Sequence, residues 1–226
     1  MKSSIIQKIK IIFTLALIVI GTLMILRPWY DAWRFDRMQR EIMLMWQNSE
    51  VYISADEDSD VIFAWTTSST AVGGLDHNDI WEEDINPEID IERLAAIVEG
   101  IITIDRINMT APILSEYSAA NLNISVCSVI RGNHMGQPGN YVLAGHNSRI
   151  RGRHFNRLFE LSPGDIIIVE NEYNRYTYEI TDVFTVTPLD VWVMANDGDR
   201  SLITLITCDY RTDPMGRFIV RGELVY

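Results

Sequence analysis

The sequence predicts a mainly β domain, either a small closed barrel or a sandwich, that follows an N-terminal transmembrane helix and a stalk. The first observation is an apolar run near the N-terminus that is long enough to cross a bilayer. The second is an acidic stretch without sustained periodicity that follows this run. The third is a series of strand-like segments with intervening turn signals and no βαβ alternation. The predicted domains are residues 1–30, 31–99 and 100–226.

The membrane anchor is predicted from the first thirty residues. Three lysines precede or begin the apolar run IIFTLALIVIGTLMIL, and counting back to Ile5 gives 22 residues that can cross a bilayer core of roughly 30 Å. Trp29 and Tyr30 suit the far interface. A cleaved signal peptide would need a small-x-small site after the run, and LRPWYDAW has none. We therefore expect an uncleaved single-pass anchor with the N-terminus inside the cell and the remaining chain outside.

The stalk consists of a predicted helix and an acidic tether. DAWRFDRMQREIMLMWQ places apolar residues near one helical face and predicts a short juxtamembrane helix. Residues 51–99 hold thirteen acidic residues against the single base Arg93, so this segment equals the whole net charge of −12. Residues 47–90 are predicted to be a flexible tether, and INPEIDIERLAAIVEG is predicted to be a helix that runs up to Gly100. No basic stripe with interleaved aromatic residues occurs, which argues against nucleic-acid binding.

The C-terminal region is predicted to be β-rich. Its segments are rich in Ile, Val, Thr and Tyr, and Gly, Pro, Asn and Asp cluster between several of them. The predicted strands are GIITIDRINMTAPIL, NISVCSVI, NYVLAGH, GDIIIVEN, RYTYEITDVFTVT, SLITLITC and RFIVRGELVY. One interruption, HFNRLFEL, predicts a short helix. Seven or eight strands in this length predict a small barrel or a sandwich.

The two cysteines, Cys127 and Cys208, are too few for a disulfide scaffold. One bridge between them is compatible with an extracellular domain, and burial of either thiol in a strand is the plainer alternative. The acidic residues show no metal-ligand spacing, so we expect no metal and no cofactor.

Three predicted strands carry reactive or charged residues at their ends. NYVLAGH ends on His146, SLITLITC ends on Cys208, and Arg217 opens the last strand. If these strands are neighbours, their ends share one rim. A thiolate is a strong nucleophile, an imidazole transfers protons, and a guanidinium stabilises an oxyanion, so the three suit acyl transfer.

Each of the three has a structural alternative. The cysteine is equally compatible with a core position, His146 with a turn cap, and Arg217 with a surface charge. His154, in RIRGRHFNR, is a rival base, but it follows no strand. We therefore expect His146 to be the base.

The pieces LAGHN at 143–147, TLITC at 204–208 and Arg217 in GRFIVRG resemble the sortases, surface transpeptidases of Gram-positive bacteria. The resemblance covers residues 100–226 and implies an eight-stranded β-barrel with catalytic His146, Cys208 and Arg217. It implies that Cys208 attacks the Thr–Gly bond of an LPxTG-like sorting signal and forms a thioester. An amine of a peptidoglycan precursor or a pilin then resolves it. Thr207 is a candidate substrate-binding residue through its backbone or hydroxyl.

The resemblance favours a class A-like or class D-like enzyme, because the segment before TLITC is short and the chain has no C-terminal membrane helix. Asp79-Ile80-Trp81 faintly resembles the inhibitory lid of class C enzymes. A pilin-polymerising sortase, a membrane-anchored cysteine protease and a membrane-tethered β-domain that only binds a partner are the alternatives. The order His before Cys, both on strands, argues against papain-type proteases.

Overall fold

A computed structural model of the chain describes residues 2–48, 90–150, 152–212 and 215–225. The side chains are described from residue 12 onward, with the exception of Asn48. Most of the tether predicted at residues 47–90 lies outside the described residues, and so does the lid motif at 79–81.

The N-terminal segment forms one helix, α1, Lys2–Asn48. The helix predicted at DAWRFDRMQREIMLMWQ is confirmed, but it is not separate from the anchor, because α1 continues through Pro28 and includes it. Proline removes one backbone hydrogen bond, a loss that membrane-spanning helices tolerate. By length and composition α1 can cross a membrane, and its side chains from Ile12 to Leu26 are almost all exposed. The chain divides into two compact units, Met1–Arg40 and Glu41–Tyr226.

The second unit contains the predicted β domain, which is a closed eight-stranded barrel and not a sandwich. The order of strands around the barrel is β1-β2-β3-β4-β7-β8-β6-β5. Most neighbours are antiparallel, whereas β2–β3 and β4–β7 are parallel. The strands are β1 Val98–Ile104, β2 Met109–Leu114, β3 Val126–Ser128, β4 Gly139–Ala144, β5 Ile166–Glu170, β6 Arg175–Val186, β7 Ser201–Asp209 and β8 Gly216–Leu224.

Two predicted boundaries at the start of the barrel are wrong. The helix before it, α2, Ile91–Ala96, ends short of Gly100, because β1 already begins at Val98 and pairs with β2. The first predicted strand is in fact β1 and β2, joined by a 3₁₀ turn at Asp105–Ile107. Gly100 is required in β1, since a Cβ there would lie 2.6 Å from the Glu170 carbonyl oxygen of β5.

Two short elements also differ from the prediction. NISVCSVI begins inside a helix, α3, Ala119–Ile124, and only β3 remains of the predicted strand. Ser118 caps α3 by accepting a hydrogen bond from the Asn121 amide. The helix predicted from HFNRLFEL is reduced to the 3₁₀ turn Leu158–Glu160, because the side chains before it are used in loop contacts instead of a helical face.

Strand alternation separates an inner from an outer barrel face. Ile203 and Leu205 of β7 belong to the hydrophobic core, so Thr204 and Cys208 point to the outer face. Phe218 and Val220 of β8 are likewise core residues, which leaves Arg217 and Arg221 outside. Both cysteines are free, so the bridge between Cys127 and Cys208 does not form.

Candidate active site

Cys208 and Arg217 are cross-strand partners. They oppose one another near the end of the antiparallel β7–β8 ladder, one pair before Asp209 and Gly216. Directly opposed residues in such a ladder have Cα atoms about 4.5–5.5 Å apart and side chains on the same face. The Cys208 side chain is partly exposed, in contrast to the buried Cys127. The register therefore brings the thiol and the guanidinium to the same edge of the outer face.

His146 lies two residues beyond the end of β4, on the other side of β7. β4 runs parallel to β7, and its last residue, Ala144, pairs with Ile206. If that register is continued for two residues past the end of β4, His146 lies opposite Cys208 of β7. Three adjacent strands in the order β4-β7-β8 thus bring His146, Cys208 and Arg217 to one end of the barrel.

The residues on both sides of His146 are tied to β7. The Gly145 amide donates to the Ile206 carbonyl at 3.1 Å, and the Thr207 hydroxyl donates to the Gly145 carbonyl at 2.8 Å. On the other side, Asn147 Nδ2 donates to the Cys208 carbonyl at 2.9 Å. These bonds fix the backbone that carries His146 relative to the backbone that carries Cys208. Sequence reasoning did not single out Gly145 or Asn147.

Thr207 is the sequence-predicted substrate-binding residue. Its side chain is 2% exposed and its hydroxyl is engaged with Gly145. The Thr207 side chain therefore holds the loop that carries His146. A contact between Thr207 and the substrate stays a prediction, and it would involve the Thr207 backbone.

The two histidines of the region are both half-buried, and burial lowers the pKa of each. Burial lowers the pKa of His146, which favours a neutral imidazole that can accept a proton. Burial, with smaller contributions from His146 and Arg153, lowers the pKa of His154 to about 3. The two rings meet edge to face at 5.9 Å. A pKa of about 3 makes the His154 imidazole a weak proton acceptor, and His146 is the histidine that follows the strand paired with β7, so His146 remains the expected base.

Asp209, on the inner side of the barrel, anchors the turn that follows β7. Its carboxylate accepts from Arg211 Nε at 2.8 Å, from Arg211 Nη2 at 2.9 Å and from the Thr185 hydroxyl at 2.9 Å. The bonds from Arg211 lower the pKa of Asp209 to about 2. The Arg211 guanidinium also stacks on Phe159, 4.0 Å from the ring centroid. This network fixes the turn next to Cys208.

Tyr210 is a further site residue that the sequence analysis missed. Its hydroxyl is hydrogen-bonded to the Cys208 side chain. Burial and the neighbouring thiol raise the pKa of Tyr210, so it stays a protonated donor. β7 ends at Asp209 and Tyr210 lies in the turn that follows, so no strand periodicity in the sequence pointed to this contact.

The outer face continues from Cys208 to a covering segment between β6 and β7. We call residues 187–196 the β6–β7 wall; it contains a 3₁₀ helix at Val191–Met194. Leu189 and Trp192 of the wall are exposed by 77% and 55%. Arg221 of β8 donates to the wall carbonyl of Val193 at 2.6 Å. Arg221 pairs with Thr204, four residues from Cys208, which is about 13 Å along an extended strand.

Comparisons with known proteins agree with this geometry. The Sortase domain family model matches residues 102–225. The chain is 31% identical to Sortase A of Bacillus anthracis over 219 residues, which cover 97% of this chain and 96% of that protein. The structure of Listeria monocytogenes sortase A is 32% identical and superimposes with a TM-score of 0.54 over 57% of this chain and 88% of that one. A Clostridium perfringens Sortase D5 transpeptidase is 26% identical with a TM-score of 0.52, over 57% and 79% of the two chains.

Proposed function

Because this chain belongs to the sortase family of cysteine transpeptidases, we propose that Cys208, His146 and Arg217 are its catalytic residues. We further propose that it cleaves an LPxTG-like sorting signal of surface proteins and transfers the acyl group to an amine of a cell-wall precursor. The observation that carries the assignment is the pairing of Cys208 with Arg217 at the edge where the loop of His146 is bonded to β7.

The first half-reaction forms a thioester. The neutral His146 imidazole accepts the proton of the Cys208 thiol, and the resulting thiolate attacks the threonine carbonyl carbon of the sorting signal. The tetrahedral intermediate collapses as the C–N bond breaks. The glycine nitrogen leaves with the proton that His146 returns. Arg217 stabilises the negative charge on the carbonyl oxygen.

The second half-reaction reverses these roles. An amine attacks the thioester carbonyl, the C–S bond breaks, and His146 accepts the proton that the amine loses. The proton finally returns to the departing sulfur. Water attacking in place of the amine gives hydrolysis as a side reaction, which is the protease alternative for the same residues.

The outer barrel face supports an extended peptide as the substrate. Arg221, which donates to the wall, pairs with Thr204 of β7, about 13 Å along the strand from Cys208, and this interval is long enough for about four residues of extended peptide. The exposed side chains of Leu189 and Trp192 give the wall an apolar surface that a peptide can contact. We infer that the residues on the acyl side of the scissile bond lie between Cys208 and the β6–β7 wall.

The N-terminal helix supports a location of the enzyme on the extracellular face of the cell membrane. The exposed apolar stretch of α1 is long enough to hold the enzyme in a bilayer. We propose a single-pass orientation with the N-terminus inside, based on the lysines before the apolar run. The similarity to a Sortase A and to a Sortase D5 transpeptidase supports a class A-like or class D-like enzyme over a pilin polymerase.

A product-partition assay tests the proposed function. The full chain in detergent micelles is incubated with an LPxTG-like peptide, with and without a glycine-based amine. The products are identified by mass spectrometry. We expect cleavage between Thr and Gly, with a transfer product that replaces the hydrolysis product as the amine concentration rises. Hydrolysis at an unchanged rate, with no transfer product at any amine concentration, would identify a protease instead.

A further inference from the structure

We propose that Arg221 is a positioning residue that sets the affinity for the peptide by holding the β6–β7 wall on the outer face of the barrel. The proposal rests on the proposed function, because the wall is inferred to contact the sorting signal.

Arg221 makes several contacts that span three elements. Its Nη2 donates to the Val193 carbonyl at 2.6 Å, and its Nε donates to the Thr204 hydroxyl of β7 at 3.4 Å. Its guanidinium carbon lies 5.8 Å from the Trp192 ring centroid and 5.9 Å from that of Phe184. These two rings are themselves stacked, with centroids 5.8 Å apart and planes 2° from parallel. One side chain of β8 thus joins the wall to β6 and β7.

A buried amide supports the same attachment from β4. Asn140 Nδ2 donates to the carbonyls of Val193 at 3.0 Å and Ala195 at 3.1 Å. Its Oδ1 accepts from the Thr204 hydroxyl at 2.7 Å. Val193 therefore accepts from both Asn140 and Arg221 at the C-terminal end of the 3₁₀ helix, where carbonyls lack partners within the helix.

The chemistry of these contacts requires arginine. A planar guanidinium donates in its own plane while its face stacks on aromatic rings, and a lysine ammonium cannot do both. Burial lowers the pKa of Arg221, and the cross-strand carboxylate of Asp182 opposes this effect. The partly buried Arg221 cation therefore stabilises the attachment of the wall.

The location of Arg221 predicts a specific kinetic effect. It pairs with Thr204, four residues from Cys208, and so lies about 13 Å from the Cys208–Arg217 pair along the strands. Loosening the wall should weaken peptide binding and leave the nucleophile intact. We expect KM to rise about tenfold, because the variant loses one charge-assisted hydrogen bond and the stacking of the guanidinium on the aromatic rings. We expect kcat to change less than about twofold.

The test compares Arg221→Met with Arg175→Met in the full chain. Arg175 is an exposed residue at the opposite end of β6, so the control removes the same charge away from the wall. Steady-state kinetics use an LPxTG-like peptide, and alkylation of Cys208 by iodoacetamide reports on the nucleophile without any peptide. Hydrogen–deuterium exchange measures the amides of residues 187–196.

The proposal predicts faster exchange in the wall, a raised KM and an unchanged alkylation rate for Arg221→Met alone. Unchanged exchange and KM in Arg221→Met would overturn it, and so would a fall in kcat with a parallel fall in Cys208 alkylation. If the wild-type chain does not cleave the peptide but exchange in the wall still rises, the proposed function fails and the structural role of Arg221 stands.

Discussion

Replacing Asp209 with asparagine should destabilise the barrel and remove part of its acid sensitivity. Asp209 is 1% exposed, and its ion pair with Arg211 lowers its pKa from 3.8 to about 2. Each pKa unit corresponds to about 1.4 kcal/mol, and because the Arg211 side chain is 59% exposed, solvent screening reduces the total to about 1–2 kcal/mol. We expect Asp209→Asn to lose this amount from the free energy of unfolding at pH 7.

The pH dependence has a defined sign. The folded-state pKa of Asp209 is lower than the unfolded one, so its contribution is present above pH ~4 and is lost as pH falls toward ~2. The assay is urea denaturation of the full chain in detergent at several pH values, followed by near-ultraviolet circular dichroism. Wild type and Asp209→Asn should converge at low pH.

The control for this experiment is Glu223→Gln. Glu223 also pairs with an arginine, Arg200, but on the exposed surface, so its removal should cost less. A constant difference between wild type and Asp209→Asn from pH 7 to pH 2, or a loss equal to that of Glu223→Gln, would refute the assignment of this stability to the buried pair.

Three further predictions concern the site itself. Cys208→Ala should abolish peptide turnover while the circular dichroism spectrum stays that of the wild type; residual turnover would contradict the nucleophile assignment. Arg217→Lys should lower kcat/KM by about a hundredfold, because the planar fork that stabilises the oxyanion is lost; near-normal kinetics would remove Arg217 from catalysis. Tyr210→Phe should slow the reaction of Cys208 with iodoacetamide at neutral pH several-fold, because the hydroxyl that donates to the sulfur is lost. An unchanged rate would show that this hydrogen bond does not affect the thiol.

Most strands of the barrel were predictable from sequence because they have their own β-branched runs and turn signals. β7 and β8 are examples, since SLITLITC and RFIVRGELVY read as strands without any tertiary information. Closure into a barrel depends on long-range pairing such as that of β4 with β7, which no local pattern encodes. The choice between barrel and sandwich therefore needed the structure or a family resemblance.

Short elements were mispredicted where local contacts outweigh periodicity. The end of α2 is set by pairing of Val98 with Leu114, and the start of α3 by the Ser118 cap. Neither signal stands out in a sequence window, because a strand partner is distant and a single serine is common.

The candidate site was predictable as three strand ends, but its supporting residues were not. His146, Cys208 and Arg217 each follow or begin a strong apolar run, so their positions could be predicted one by one. The bond from Asn147 to the Cys208 carbonyl and the contacts of Arg221 join residues more than fifteen positions apart. Such contacts depend on strand order and register, which only the folded chain provides.

Trapping the acyl-enzyme tests the central claim most directly. The full chain is mixed with an LPxTG-like peptide without amine, quenched in acid and digested with a protease. The mass of the fragment that contains Cys208 is then measured by mass spectrometry. We predict an added mass equal to the peptide up to its threonine, sensitive to hydroxylamine and absent in Cys208→Ala. Turnover with the acyl group on another residue, or with no covalent adduct under conditions that preserve thioesters, would contradict the assignment of Cys208 as the nucleophile.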